Sequence, residues 1–247
     1  MHNGEFNEPR LAQVYEVDCP WGMSDQFFLD VANENPASNI LDLGCGTGRI
    51  TLRLAQSGHT VTGIDPALAS LEVAQRKLGA NRVTWIHGTV ADAPTDAFDI
   101  AAMTNHVAQF LTGDDEWLDT LKHLRRSLNL GGRLVFDSRD PAARGWEHWN
   151  PTDTREEVAL PSGETLLTWT EVTDLEGENI TFLSHYVFSS SPEELLSRST
   201  LRFRPEQTIR STLAEAGFDI ENIYGGWRRD PVEQGDGEFI VIARKRA

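Results

Sequence analysis

Three glycines at alternate positions, Gly44, Gly46 and Gly48, follow Asp42 in the stretch NILDLGCGTGRIT, residues 39 to 51. Glycine lets backbone pass close to a ligand, and a helix starting just beyond offers unpaired amide donors in its first turn. A dinucleotide fingerprint would require a small residue at position 49, where the chain carries Arg49, so that reading is excluded. Asp42 would repel a pyrophosphate, yet it would accept hydrogen bonds from an ammonium group. The pattern points to a nucleoside-like ligand with a cationic amino-acid end. A second acid, Asp65 in GIDPA, closes the next apolar run. No cysteine or histidine cluster has metal-ligand spacing, and no metal is called for.

The elements that must position these residues follow from periodicity. NILDLG reads as a buried strand, RITLRLAQ as a helix stopped at Gly58, and HTVTGID as a second strand, which together make one βαβ unit. Upstream, SDQFFLDVANENP reads as a helix with a serine cap, ended by Pro36. ALASLEVAQRKLGA is a further helix, RVTWIHG and FDIAAMT are strands, DDEWLDTLKHLRRSL is a helix with acids first and bases last, and GRLVFDSRD is a fifth strand. The alternation predicts an α/β fold with a doubly wound, mostly parallel sheet. After Asp140 the rhythm changes. TLLTWTEVTDLEG, NITFLSHYVFSSS and LLSRSTLRFR read as three antiparallel strands, before helix and strand return in RPEQTIRSTLAEAGFDIENIYGGW and EFIVIARK. We therefore expect a main domain of residues 1–145 and 206–247, interrupted by an antiparallel β insertion at 146–205 that serves as a substrate lid.

Composition bounds the function. The chain has 247 residues and a formal net charge of -16, which disfavours phosphate backbones and anionic lipid surfaces as partners. Its two cysteines, Cys19 and Cys45, suggest no disulfide framework. The first residues lack a basic start and an apolar run, so a soluble, unprocessed cytoplasmic protein is expected.

The core DLGCGTG resembles the first motif, acid-x-Gly-x-Gly-x-Gly, of the class I S-adenosylmethionine-dependent methyltransferases. The likeness in element order runs from about residue 24 to 140 and from 206 to the end, and it implies a seven-stranded Rossmann-like sheet with S-adenosyl-L-methionine as cofactor and S-adenosyl-L-homocysteine as product. It implies that Asp42 lies near the methionine amino group, that Gly44, Cys45, Gly46 and Gly48 pass the sugar and methionine, and that Asp65, with Pro66 beside it, meets the ribose hydroxyls. Where the family commonly has Gly-Asp-Ala for adenine, this chain has Gly88, Thr89 and Val90; Asp92 is the rival for that contact. Met103, Thr104, Asn105 and His106 are expected across the cofactor's face, with Tyr15 and Trp21 in an N-terminal segment folded over it.

His106 is the candidate catalytic base. Arg139, His185, Tyr186 and Trp227 join it as candidate substrate residues, whereas Trp146 and Trp149 are expected to pack the insertion. The resemblance implies methyl transfer to a nitrogen or oxygen of a small molecule. Alternatives are an RNA or protein methyltransferase, against which the charge and the sequence TNHV after the fourth strand both count, and a non-catalytic cofactor binder. The insertion could equally serve a homodimer contact.

Overall fold

The computed structural model describes residues 3–18, 20–191 and 193–246; Cys19 lies outside them. The chain begins with α1 (Gly4–Asn7) and α2 (Pro9–Asp18), followed by α3 (Met23–Asn33). The cap of α3 is Gly22 rather than a serine. Its backbone N–H donates to Asp25 Oδ2 at 2.8 Å, so the acid in the first turn reaches back and satisfies the turn that Ser24 was expected to cap.

Strand β1 (Asn39–Leu43) leads through the glycine turn into α4 (Arg49–Gln56), then β2 (Thr60–Asp65), α5 (Leu68–Arg76), β3 (Val83–His87) and β4 (Phe98–Met103). A short α6 (Val107–Phe110) precedes α7 (Asp114–Ser127) and β5 (Leu128–Arg139). Helix α7 opens on Asp114, Asp115 and Glu116 and ends on Arg125 and Arg126, the order that complements its dipole. Beyond it lie α8 (Pro151–Thr154), β6 (Glu156–Ala159), β7 (Thr165–Glu176), β8 (Asn179–Phe188), β9 (Glu194–Arg202), α9 (Glu206–Glu215), β10 (Phe218–Tyr224) and β11 (Glu238–Lys245).

Seven strands form one sheet in the order β10-β11-β5-β4-β1-β2-β3. Strands β1 to β5 run parallel, while β11 lies antiparallel between β5 and β10. Such strands must be apolar on both sides, and Ile40, Leu41, Ile64, Ile100, Leu134 and Ile242 are all buried. One face packs Trp117, Leu121 and Leu124 of α7 with Ile209 and Leu213 of α9; the other packs Phe27, Phe28 and Val31 of α3 with Ile50 and Leu54 of α4. Strand order reverses between β4 and β1, which leaves a crevice at the carboxyl ends of these strands.

The insertion has four strands rather than three, in the antiparallel order β6-β7-β8-β9. The added β6 is the edge strand EEVA, which pairs with Thr165–Thr168 of β7; its two glutamates conceal the period-2 signal while protecting an exposed edge. The small sheet packs through aromatic rings on α6 and on the segment that follows β5. Trp146 lies 4.6 Å from the Phe203 ring and Trp149 lies 4.9 Å from Phe182, both edge-on, so these tryptophans pack the insertion as expected. Next to them the buried Arg204 donates Nη1 to the Ala108 carbonyl at 3.2 Å and Nη2 to the Leu111 carbonyl, tying β9 to α6. A second cluster seats Leu11 of α2 against Leu166, Tyr186 and Phe188. No helix among the described residues is long and apolar enough to cross a membrane.

Phe203, 1% exposed, packs the small sheet against Phe110 of α6 and against Trp146 and Trp149 of the segment after β5. Phe203→Ala should therefore lower stability by about 3–5 kcal/mol in chemical denaturation, the usual cost of emptying an aromatic core site.

Candidate functional site

A cavity of about 630 Å³ lies at the strand-order reversal. Its floor is the turn after β1, where Gly44, Gly46 and Gly48 take φ values of +74°, +53° and +76°. A Cβ on Gly44 would lie 2.5 Å from Val107 Cγ2, so packing against α6 requires glycine there. At Gly46 a Cβ would meet nothing within 4 Å, which leaves open room beside the cavity wall. Gly48 stands off the cavity, where a side chain would strike Trp85.

Asp65, at the end of β2, lines the cavity with Pro66. Its Oδ2 accepts from the Gly46 N–H and its Oδ1 from the Ala67 N–H, each at 2.7 Å. Burial pushes this carboxyl above the ordinary aspartate range, against the opposing pull of the two backbone donors. Cys45 also lines the cavity, and burial pushes its thiol well up, which keeps it a neutral small side chain. Thr89 and Val90 form another part of the wall. Asp92 instead folds back to accept the Thr89 N–H at 2.9 Å, and it does not face the cavity.

Asp42 stands elsewhere than the resemblance implies. It is fully buried behind the turn, off the cavity wall, where Thr51 Oγ1 donates to its Oδ2 at 2.6 Å and its Oδ1 has no partner among the described residues. Burial raises its carboxyl from 3.8 to about 6, with the Asp65 charge adding to the rise and the Thr51 bond opposing it. Met103 is likewise core, 0% exposed, because it ends a strand buried on both faces; Thr104 takes the wall position.

The roof comes from the N-terminal segment. Tyr15 lines the cavity, and its hydroxyl accepts from Asn105 Nδ2 at 2.6 Å. Phe6 joins it there, held by Ser70 Oγ donating to its carbonyl at 2.8 Å, while Asn3 N–H donates to the Arg198 carbonyl of β9 at 2.9 Å. Arg49 pairs with Asp25 at 3.0 Å and donates to the Pro20 carbonyl at 2.8 Å, pinning the same segment. Trp21 is not part of the roof: its ring is 40% exposed beneath Arg53. The sequence signalled Tyr15 but not α1, whose mixed residues carry no periodic pattern.

Beside Asn105, just outside the cavity wall, His106 heads a second cluster. Asn105 and His106 have φ values of +59° and +66°, consecutive left-handed non-glycine residues. The His106 N–H donates to Asp137 Oδ2 at 2.9 Å, and its ring Nε2 lies 3.0 Å from both oxygens of Glu238. Burial pushes the fully enclosed Asp137 carboxyl to about 6, opposed by the nearby His106. Arg139 leaves β5 to donate from Nη1 to Gln109 Oε1 at 3.0 Å, with its guanidinium 5.3 Å from the Trp149 ring centre.

The remaining substrate candidates are not gathered here. His185 stacks on Trp169 at 4.5 Å and bonds Glu194, Tyr186 is buried on the opposite face of β8 against Leu11, and neither lines the cavity. Trp227 packs on Phe27 and Phe28, across the large sheet from the insertion. Its aromatic neighbours on α3 claim it for the core. Sequence reasoning missed Asp137 and Glu238; an acid inside the apolar run LVFDS was the one visible signal.

A doubly wound sheet with a glycine turn, a carboxylate after β2 and a roofed crevice defines an α/β protein that binds a nucleoside-like cofactor. Residues 40–132 match the protein family described as "Methyltransferase domain". Cypemycin N-terminal methyltransferase from Streptomyces sp is 27% identical over 216 residues, 84% of this chain and 83% of its own length. Other curated relatives named as methyltransferases, 29–35% identical, are matched over 39–54% of their own length. Among solved structures, the sugar N-methyltransferase KedS8 from Streptoalloteichus sp superposes with a TM-score of 0.74 at 18% identity, covering 94% of this chain and 91% of that one. CalS10 from Micromonospora echinaspora, an amino pentose methyltransferase with S-adenosylmethionine bound, gives 0.67 at 19% identity and covers 94% of each chain. Residues 40–132 carry a methyltransferase domain, and the protein is an S-adenosylmethionine-dependent methyltransferase. Its cavity fits that cofactor: Gly46 leaves open room at the wall, and Asp65 offers a buried acceptor.

Two predictions follow from this geometry. Gly46→Ala should cost only about 1–2 kcal/mol of stability for its left-handed backbone, while S-adenosylhomocysteine affinity in calorimetry drops about tenfold or more as the methyl group enters the cavity. The raised Asp42 carboxyl means that the folded chain keeps a proton which the unfolded chain releases between pH 3.8 and about 6. Stability contributed by this group therefore falls as pH rises through that window and is constant above it, at a cost of about 3 kcal/mol. Asp42→Asn should be more stable than wild type at pH 8, with the gap closing by pH 4 in paired denaturation curves.

Proposed function

We infer that the chain methylates an amine nitrogen of a small molecule. The observation that carries this reading is the cluster beside the cofactor cavity, in which Asp137 and Glu238 bracket His106 and favour a cationic acceptor. The printed name of KedS8, a sugar N-methyltransferase, supports nitrogen as the acceptor. When bound, S-adenosylmethionine supplies an electrophilic methyl carbon on its sulfonium. Asp65 holds the ribose hydroxyls, Thr89 and Val90 border the adenine, and Gly44 to Gly46 leave room for the sugar and methionine. Tyr15 and Asn105 close over the reacting side and keep water out, so that much of the rate comes from positioning. The insertion covers the acceptor.

A second reading draws on the relative whose name places the methyl at an N-terminus: a peptide α-amine would present the same ammonium to the same carboxylates. The net charge of -16 supports a small or cationic acceptor over nucleic acid.

A screen of amino sugars, other small amines, hydroxylated analogues and short peptides, read by S-adenosylhomocysteine release and product mass, decides between these readings. Turnover only with hydroxyl acceptors would sink the amine reading, and binding without any turnover would sink catalysis. Asp65→Ala should weaken S-adenosylhomocysteine binding by about 1.5–3 kcal/mol, the range for hydrogen bonds to a charged group; unchanged affinity in calorimetry would remove Asp65 from the ribose site.

A further inference from the structure

We propose that Glu238 is a positioning residue that, with Asp137, holds His106 as the Nε2–H tautomer, leaving Nδ1 to take the proton an ammonium acceptor must lose before methylation. This rests on the amine reading above.

Ring geometry comes first. His106 Nε2 lies 3.0 Å from each Glu238 oxygen and 3.3 Å from Asp137 Oδ2, and ionised carboxylates only accept, so this nitrogen carries the hydrogen. Nδ1 makes no hydrogen bond among the described residues, and 15% of the side chain is open to solvent. Its lone pair is the one left unengaged among the described residues.

Backbone geometry agrees. Asn105 and His106 hold consecutive left-handed conformations that cost about 1–2 kcal/mol each, and such strain persists where surrounding bonds over-determine it. Here the His106 N–H to Asp137 Oδ2 bond at 2.9 Å supplies that constraint. Asn105, in the same turn, lines the cavity and bonds Tyr15, so His106 is one residue from the wall.

Among the described residues, the other charged and titratable groups at the cluster are Arg139 from β5 and Tyr15 from α2, with Asp137 from β5 and Glu238 from β11 already named. One guanidinium offsets one of the two carboxylates. The remaining negative charge stabilises both an arriving ammonium and the imidazolium that forms.

The ammonium N–H bond breaks, its proton passing to His106 Nδ1 and its electron pair staying on nitrogen. That pair forms the N–C bond to the donor methyl as the C–S bond breaks, with the C–S pair remaining on sulfur. His106 then releases the proton to solvent.

The test uses the full chain and an amine acceptor taken from the screen, with kcat and KM measured from pH 6 to 10. Glu238→Gln is expected to lower kcat about tenfold at pH 7, and His106→Asn about a hundredfold; KM for the methyl donor stays within about twofold. In both variants log kcat should climb by about one per pH unit where wild type is flat, because the amine must then lose its proton unaided. Glu238→Asp, which keeps the charge, should recover part of the loss and serves if the glutamine variant does not fold. A loss that is the same at every pH would make Glu238 merely structural and overturn the proposal. Inhibition by EDTA relieved by Mg²⁺ would also overturn it, since the three side chains would then be a metal centre. Product NMR keeps the two readings apart: an N-methyl product with a wild-type profile in Glu238→Gln sinks the positioning role alone. An O-methyl product sinks the amine reading, while the same profiles still decide the role of Glu238.

Discussion

The Asp65 carboxylate is the hinge on which the cofactor half of the molecule turns. Its two oxygens each take one backbone N–H at 2.7 Å, from Gly46 in the turn after β1 and from Ala67 at the start of α5. Parallel pairing of Leu43 with Ile64 sets that reach, because it ends β1 and β2 at the same level. The Gly44 and Cys45 amides then return to the Ile64 carbonyl at 2.8 and 3.2 Å, so the glycine turn is fastened to β2 along its length. A turn held this way meets its ligand with little reorganisation, and an anion buried among amide donors stays a strong acceptor.

The roof depends on different physics. Helices α1 and α2 bridge the small sheet and the large one through Asn3, Phe6 and Leu11, and the segment is pinned at its far end by Arg49. Arg49 thus has two meanings. In the sequence it removes a dinucleotide from consideration; in the fold it reaches Asp25 and the Pro20 carbonyl, and so closes the crevice from the side that the glycine turn leaves open. Apolar packing adds to these polar contacts, since Leu11, Val14 and Val17 seat α2 against the small sheet and the Phe6 ring packs edge-on against Tyr15 and Phe110.

Legibility followed sequence distance. The βαβ rhythm, the glycine turn, Asp65 and the wall at Thr89 and Val90 rest on contacts between neighbouring elements, and the sequence carried them. Asp42 was legible as an acid before glycines but not as a buried one, since position along a strand does not tell which side of a turn a carboxylate will face. Trp227 looked like a cleft wall because it follows the sixth strand-like run; Phe27 and Phe28, two hundred residues earlier in the chain, claim it for the opposite face. Strand β6 was invisible because edge protection by Glu156 and Glu157 erases the alternation that marks strands.

The acceptor side was the least legible part, and the reason is topological. Strand β11 runs antiparallel to β5, so its first residue, Glu238, pairs with the last residue of β5, Arg139. A parallel strand in that place would bring its own last residues to the crevice and leave Glu238 at the far edge of the sheet. The reversal of one strand therefore delivers a carboxylate, 132 residues away in sequence, to the ring of His106, with no motif in the chain to announce it. Cofactor recognition in this fold is built from the ends of consecutive parallel strands, whereas the proton chemistry beside it is built from the exception to that order.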